Sequence, residues 1–176
     1  MLENKDGARR MYLYNFYKAE NAVAKMTVDL LSQAASTDFT GRSAESMITE
    51  TEDRLGKKLA KRQREAVICA LENSLMVLTG GPGTGKTTIV SFIIECYEQI
   101  GKKVTLCAPT GRAAKRLAES SGRKASTIHR LLEVGYTDEN EQENFYNRDE
   151  SNPLDTDVLI VDEMSMVDIF LIKALF

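Results

Sequence analysis

The chain has 176 residues, of which 43% are hydrophobic and 28% charged, and its formal net charge is −3. This size suits one ordinary domain, or one domain with an appendage, and this composition excludes a disordered or fibrous protein. Because the longest apolar runs fall far short of the roughly 20 residues that cross a bilayer and the amino terminus lacks a secretory signal, we expect a cytoplasmic protein with no membrane segment.

The amino-terminal part is predicted to be helical. Apolar residues recur at helical spacing across 9–35, which indicates one or two amphipathic helices. Residues 37–51 lose this periodicity and are rich in Ser, Thr, Gly and Asp, as a linker would be. We therefore predict a helical segment at 1–50, as the tail of an amino-terminal domain, and a second domain at 51–176.

The second domain is predicted to alternate strands and helices. In chain order the predicted elements are a helix from 53 to 73, a strand at 75–79, a helix from about 86 that stops at Gly101, a strand at 104–108, a helix at 111–121, a short helical turn at 127–132 and a strand at 157–162. The strands are almost wholly apolar, as parallel strands covered on both faces tend to be. This order predicts an α/β fold with a parallel sheet.

A glycine-rich loop joins the first predicted strand to the next helix. Residues 80–87 read Gly-Gly-Pro-Gly-Thr-Gly-Lys-Thr and match the phosphate-loop pattern G-x-x-x-x-G-K-[ST] in the context that the pattern requires. Glycines let successive N–H groups point at phosphate oxygens, and the helix adds the positive end of its dipole. We expect Lys86 to reach the β and γ phosphates of a nucleotide and the Thr87 hydroxyl to hold Mg²⁺. The other predicted nucleotide-binding residues of the loop are Gly81, Pro82, Gly83, Thr84, Gly85 and Thr88.

Two carboxylates follow the last predicted strand. Asp162 and Glu163 stand at its carboxyl end, where ligands bind in open α/β sheets. We predict that Asp162 holds Mg²⁺ through its water shell and that Glu163 orients or deprotonates the attacking water. Acidic residues often end strands simply as solvated groups. Because this pair lies 76 residues after Lys86, one strand-helix unit later, the two motifs support each other.

Charge is distributed unevenly between these motifs. Residues 111–130 contain six basic residues and one acidic residue, whereas residues 133–157 contain nine acidic residues and one basic residue. This pattern predicts one face for a polyanion and a separate solvated loop or hairpin. The three cysteines are widely spaced and have no CxxC pair, so we predict that all three are core residues rather than metal ligands.

Together these motifs resemble superfamily 1 helicases, most closely the RecD-like DNA helicases of the exodeoxyribonuclease V alpha subunit type. The resemblance covers about 55–176 and rests on four segments in the family's order. They are Gly-Gly-Pro-Gly-Thr-Gly-Lys-Thr-Thr (80–88), Ala-Pro-Thr-Gly-Arg-Ala-Ala-Lys-Arg-Leu (108–117), Ser-Thr-Ile-His-Arg-Leu-Leu (126–132) and Asp-Glu-Met-Ser-Met-Val-Asp (162–168). The resemblance implies a RecA-like phosphate-loop fold, hydrolysis of ATP with Mg²⁺, 5′ to 3′ translocation on single-stranded DNA in repair or recombination, and helicase-nuclease partner subunits.

The resemblance also implies roles for individual residues. Gln63 matches a glutamine that reads adenine, because an amide can both donate to and accept from the N6 and N7 edge; the alternative is a solvent-facing helix residue. The implied contacts to single-stranded DNA are Thr110, Gly111 and Arg112 in one motif, and Thr127 and His129 in the next. A hydroxyl and free N–H groups at a helix start suit a phosphate. For His129 the alternative is an ordinary packed or capping residue.

The chain departs from the family's pattern after its acidic motif. Only eight residues follow Asp168, so the later motifs and the arginine from a second motor domain are expected to lie outside this chain, which we interpret as a fragment. The family's sheet places a later strand between the phosphate-loop strand and the acidic strand, and we therefore expect a gap or an exposed edge.

Other functions remain open on the sequence alone. One is a nucleotide-binding or regulatory module without turnover, because the arginine is worth about a thousandfold or more in related phosphoryl transfers. Another is a different superfamily 1 helicase, of the Pif or relaxase type. A small-molecule kinase or GTPase is disfavoured by the Asp-Glu pair and by the absence of an Asn-Lys-x-Asp segment.

Overall fold

A computed structural model describes residues 2–5, 8–33, 41–135 and 145–176. Its elements are β1 (Leu2–Lys5), β2 (Ala8–Met11), α1 (Tyr14–Ser32), α2 (Ala44–Leu55), α3 (Lys61–Glu72), α4 (Lys86–Gln99), β3 (Val104–Ala108), α5 (Gly111–Ser121), β4 (Ala125–Thr127), α6 (Ile128–Leu131), β5 (Val134–Gly135), β6 (Phe145–Tyr146), β7 (Val158–Val161), a 3₁₀ turn (Met164–Met166) and α7 (Ile169–Leu175). The predicted α/β class with a parallel sheet and flanking helices is confirmed.

Three parallel strands form the central sheet, in the order β4-β3-β7. Alternate residues of the middle strand point to opposite faces. Leu106 packs with Ile94 of α4 and Leu117 of α5, whereas Cys107 packs with Ile128 of α6 and Leu171 of α7. The sheet is therefore covered by helices on both faces. Among the described strands, β4 and β7 are the two outer strands of this sheet.

The segment before the glycine-rich loop is not a strand, although its apolar sequence predicted one. Residues 75–79 pair with none of the described strands, and Val77 is 80% exposed. Leu78 still packs against the cluster between α3 and α4. A strand assignment requires a hydrogen-bonded neighbour, and this segment has no such partner among the described strands.

The amino-terminal helix is shorter than predicted. Within 9–35, α1 accounts for 14–32, whereas residues 9–11 belong to β2, which pairs antiparallel with β1. Residues 34 and 35 lie outside the described residues. α1 packs against α7, with the Phe16 and Phe170 rings in edge contact at a centroid distance of 4.8 Å.

The predicted linker at 37–51 is wrong for residues 44–51, which belong to α2; residues 37–40 lie outside the described residues. The Ser43 hydroxyl caps this helix by accepting from the N–H of Ser46 at 3.2 Å. Gly56 ends it in the left-handed conformation, which breaks the single helix predicted over 53–73 into α2 and α3. The predicted domain boundary near residue 50 therefore falls inside α2.

α2 packs firmly against the neighbouring helices. Met47, Ile48 and Thr51 have no exposed surface, and the two apolar side chains belong to the same cluster as residues of α3 and α4. The Thr51 hydroxyl accepts from Nε2 of Gln99 at 2.6 Å and donates to the carbonyl of Met47 at 2.8 Å. A segment with too few apolar residues to look like a core helix is thus part of the main core.

Two of the three cysteines are core residues, as predicted, and one is not. Cys96 and Cys107 are buried, and burial raises the pKa of the Cys107 thiol to about 12. Cys69 is exposed, because α3 turns Val67 and Leu71 toward the core instead. In the acidic segment, where a loop or a hairpin was predicted, β5 and β6 pair antiparallel, and residues 136–144 lie outside the described residues. None of the described helices is long and apolar enough to cross a membrane.

Replacement of Met47 by alanine tests whether α2 belongs to the core. We expect Met47→Ala to lower the free energy of unfolding by about 3 kcal/mol, because it leaves a cavity between three helices. Glu50→Ala, on the exposed face of the same helix, should change it by less than about 0.5 kcal/mol. Urea unfolding measures both, and equal small effects would mean that α2 is a loosely attached linker.

Candidate nucleotide site and sheet edge

The glycine-rich loop leaves the first turn of α4 open. Gly83 and Gly85 have φ angles of 75° and 83°, which is the left-handed region that favours glycine. Gly85 is the N-cap of the 14-residue α4, and its missing side chain leaves the first N–H groups of the helix without a capping acceptor. No acidic residue lies in that first turn, where Thr88 is half-buried. The helix start therefore offers backbone donors and a positive dipole end to an anion.

Lys86 lies against the inner side of the loop. Its ammonium donates to the carbonyl oxygens of Gly80 and Gly81 at 2.5 and 2.9 Å. The Thr84 hydroxyl donates to the same Gly81 oxygen at 2.9 Å, while Pro82 lies in the exposed turn between them. A cation and open N–H groups on one short segment fit a polyphosphate.

Gln63 connects the start of α3 to this loop. Its Oε1 accepts from the N–H of Ala60 at 3.0 Å, and its Nε2 donates to the carbonyl of Thr84 at 3.4 Å. A Cβ atom on Gly85 would lie 2.2 Å from that Nε2. The side chain is thus half-buried against the loop, which differs from the solvent-facing alternative.

The two carboxylates lie at the carboxyl end of β7. The N–H of Asp162 donates to the carbonyl of Cys107 at 2.9 Å, which continues the ladder by one residue, and its Oδ1 accepts from the N–H of Glu163 at 3.0 Å. Glu163 has φ 55° and ψ 40°, a left-handed conformation that costs a residue other than glycine about 1–2 kcal/mol. Both residues are exposed, and neither forms an ion pair within the described part of the chain.

The predicted DNA-contacting residues lie where two helices begin. Thr110 is the N-cap of α5, and its hydroxyl accepts from the N–H of Ala113 at 3.2 Å. Thr127 caps α6 in the same way, accepting from Arg130 N–H at 3.2 Å. Gly111 and Arg112 are exposed in the first turn of α5, and His129 is exposed on α6 rather than packed. Each hydroxyl keeps its own proton to donate to a phosphate.

The strand register brings the ends of three strands to one edge of the sheet. Ala108 of β3 lies opposite Thr127 of β4, and Cys107 lies opposite Val161 of β7. Thr127, the last residue of β4, therefore lies at the same edge as Thr110 and Asp162, which come after the ends of β3 and β7. Within the described residues, Lys86 hydrogen-bonds to the loop and not to Asp162 or Glu163.

The donor set is compatible with Mg²⁺ rather than with a metal enclosed by protein ligands. The described residues contain no cluster of three or more His, Cys, Asp or Glu that could hold a metal. Mg²⁺ typically takes one or two protein oxygen ligands together with water and substrate phosphates. An exposed hydroxyl at Thr87 and the exposed carboxylate of Asp162 are ligands of that kind.

Sequence reasoning missed a group of charged residues beside Gln63. Arg64 donates to Glu45 at 2.9 Å, to Thr49 at 2.8 Å and to Glu52 at 3.1 Å, all on α2. The hydrogen bond that Arg64 donates to Glu45 raises the pKa of Arg64. The spacing of 45, 49 and 52 places these acceptors on one helix face. That spacing could have revealed them if 44–51 had been read as a helix.

Comparison with known proteins adds family evidence. A family described as an AAA domain matches residues 63–176. The chain is 38% identical over 161 residues to the ATP-dependent RecD2 DNA helicase of Deinococcus radiodurans, across 92% of this chain and 21% of that protein. It is 31% identical over 185 residues to the RecBCD enzyme subunit RecD of Buchnera aphidicola subsp. Schizaphis graminum, across 93% and 29%. For RecBCD enzyme subunit RecD of Haemophilus influenzae the values are 32% over 186 residues, across 90% and 28%. The chain spans less than a third of the length of these relatives.

Two glycines of the loop should respond differently to alanine. We expect Gly85→Ala to lower the free energy of unfolding by about 1–2 kcal/mol, because alanine resists φ +83° and its Cβ would displace the Gln63 amide. Gly81→Ala meets open space and should change stability by less than about 0.5 kcal/mol. Thermal unfolding of both variants measures the difference. Equal losses would show that the loop conformation differs from the one described.

Proposed function

We propose, since this chain belongs to the AAA domain family and within it to the RecD-like DNA helicases, that it carries the ATP site and part of the single-stranded DNA grip of a helicase motor. The observation that carries this proposal is the common sheet edge. Thr110 and Asp162 follow β3 and β7, Thr127 is the last residue of β4, and these three strands are parallel neighbours. Residues proposed to contact DNA and a residue proposed to hold the Mg²⁺ of ATP thus lie on the same sheet.

ATP is the proposed substrate of the glycine-rich loop. The open N–H groups at the start of α4 would bind phosphate oxygens, and Lys86 would leave the Gly80 and Gly81 carbonyls to reach the β and γ phosphates. Gln63, already held against Thr84, would offer its amide to the adenine edge. The Thr87 hydroxyl would be a ligand to Mg²⁺.

Hydrolysis is proposed to depend on the acidic pair. Mg²⁺, when bound, would neutralise charge on the phosphate oxygens. Asp162 would hold the metal's water shell, and its Oδ1 fixes the N–H of Glu163. Glu163 would orient the attacking water and accept its proton. The left-handed backbone at Glu163 aims its carboxylate away from the direction that a continuing strand would give it, which supports a specific placement.

Single-stranded DNA is the proposed second ligand. The start of α5 presents a hydroxyl, an exposed backbone and Arg112, and the exposed face of that helix carries further basic residues. Phosphate groups suit such donors and fix a strand without reading its sequence. β3 ends just before Thr110 and pairs directly with β7, which carries the acidic pair at its carboxyl end. A structural change at the acidic pair would therefore pass through one strand, β3, to reach the DNA-contacting residues.

The wider role follows from the same family. We propose that the full-length protein couples ATP hydrolysis to 5′ to 3′ movement on single-stranded DNA in repair or recombination. Two of the relatives above are named subunits of the RecBCD enzyme, and this supports helicase-nuclease subunits as partners of the full-length protein.

ATP hydrolysis by the full-length protein, with and without single-stranded DNA, tests the proposal directly. We expect DNA to stimulate hydrolysis. Glu163→Gln should lower kcat about a hundredfold or more, because general base catalysis is lost, while the Kd for ATP stays near that of the wild type. An absence of stimulation would favour a nucleotide-binding module, and near-normal turnover of the variant would reject Glu163 as the base.

Asp168→Asn is the matched control in the same acidic segment. The Asp168 carboxylate accepts from the N–H groups of Phe170 and Leu171 at 2.9 and 3.0 Å and so caps α7. Asparagine is an equally good N-cap. This variant should therefore hydrolyse ATP at the wild-type rate.

Arg112→Ala tests the DNA contact. We expect weaker binding of single-stranded DNA and a salt slope smaller by about 0.7 to 1 unit, the change for one lost phosphate contact. Lys103→Ala, at the amino end of β3 and thus at the opposite edge of the sheet, should leave the slope unchanged. Fluorescence anisotropy at several salt concentrations measures both, and equal slopes for the two variants would exclude Arg112 as a phosphate contact.

A further inference from the structure

A chain of hydrogen bonds connects α2 to the glycine-rich loop. It begins at Glu52, whose side chain is only 11% exposed. Its Oε1 accepts from the backbone N–H of Leu59 at 2.9 Å, and its Oε2 accepts from Nη1 of Arg64 at 3.1 Å. One carboxylate thus holds the chain at two points, one before and one after Gln63.

The connection continues through the neighbouring residue. The N–H of Ala60, next to Leu59, donates to Oε1 of Gln63 at 3.0 Å. Nε2 of Gln63 then donates to the carbonyl of Thr84 at 3.4 Å. The position and the rotation of the Gln63 amide therefore depend on where Glu52 holds the turn that precedes α3.

We propose that Glu52 is a positioning residue for Gln63 and thereby sets the preference of the nucleotide site for adenine over other bases. The inference rests on the proposed function, in which Gln63 reads the base. An amide has distinct donor and acceptor ends, so it selects a base edge only while its orientation is held. α2, which the sequence alone assigned mostly to a linker, supplies the group that holds it.

The remaining contacts of Arg64 explain why Glu52 matters more than its neighbours on α2. Arg64 also donates to Glu45 and Thr49, so it stays anchored to α2 without Glu52. The backbone N–H of Leu59, in contrast, donates to the Glu52 side chain. Loss of the Glu52 charge should therefore release the turn at Leu59 and Ala60 while α3 remains packed.

Glu52→Gln in the full-length protein is the test. Glutamine keeps the shape but has one acceptor and one donor end, whereas Leu59 N–H and Arg64 both donate, so only one of the two contacts can survive. We expect ATP binding to weaken about tenfold, because a Gln63 amide that is no longer held loses about one hydrogen bond to adenine. The preference for ATP over GTP should fall for the same reason. Inorganic triphosphate, which has no base, should bind as it does to the wild type.

Glu50→Gln is the matched control. Glu50 lies on the same helix, is 53% exposed and contacts Arg42 at 3.3 Å, away from Gln63. This variant should bind ATP, GTP and inorganic triphosphate with wild-type affinities. The same loss of ATP affinity in both variants would point to net charge rather than to positioning, and would overturn the inference.

A double-variant comparison separates this inference from the proposed role of Gln63. If Glu52 acts through Gln63, Glu52→Gln should cause no further loss of base preference in a Gln63→Ala background. A normal ATP-to-GTP preference in Gln63→Ala alone would reject the base-reading role, and the inference with it. A loss in Gln63→Ala without any in Glu52→Gln would reject the inference alone. Equal weakening of ATP and triphosphate by Glu52→Gln would also overturn it, by showing a general effect on the loop.

Discussion

The parallel register of β3 with β4 and β7 is the constraint on which the rest of the site depends. Side chains at the carboxyl ends of parallel strands meet at one edge, so the hydrogen bonds between these strands fix where Thr110, Thr127 and Asp162 lie. The middle strand is buried between α4 and α5 on one face and α6 and α7 on the other. The positions of these three residues at the edge therefore depend on the packing of the helices against the middle strand.

The sequence predicts most of this frame because its signals are local. A few adjacent residues are enough to predict the glycine-rich loop, the apolar strands 104–108 and 158–161, and the end of a helix at Gly101. Segment 75–79 shows the limit of such signals: its apolar sequence predicts a strand, but whether a strand forms depends on a neighbour in space. Sequence periodicity carries no information about that neighbour.

α2 was missed for a different reason. One of its buried residues is the polar Thr51. The residues that cap α2 or bond it to other helices are Ser, Thr and Glu, which are typical of linkers. Their function depends on partners far along the chain, such as Gln99 and Arg64. The helix end at Gly56 was also missed, because the periodicity of 53–73 suggested one continuous helix. Polar residues reveal a core position only once their partners are known.

Among the left-handed backbone positions of the site, Gly85 and Glu163 differ in what the conformation costs. At Gly85 the conformation costs little, because glycine lacks a Cβ, and the space that a Cβ would occupy is filled by the Gln63 amide. At Glu163 the same conformation opposes a full side chain and must be held by its surroundings, here the Asp162 carboxylate and the 3₁₀ turn that follows. Glu133 has a similar conformation, with φ 52°, so what distinguishes Glu163 is that this backbone stands beside Asp162 at the carboxyl end of β7, where local hydrogen bonds set the direction of its side chain.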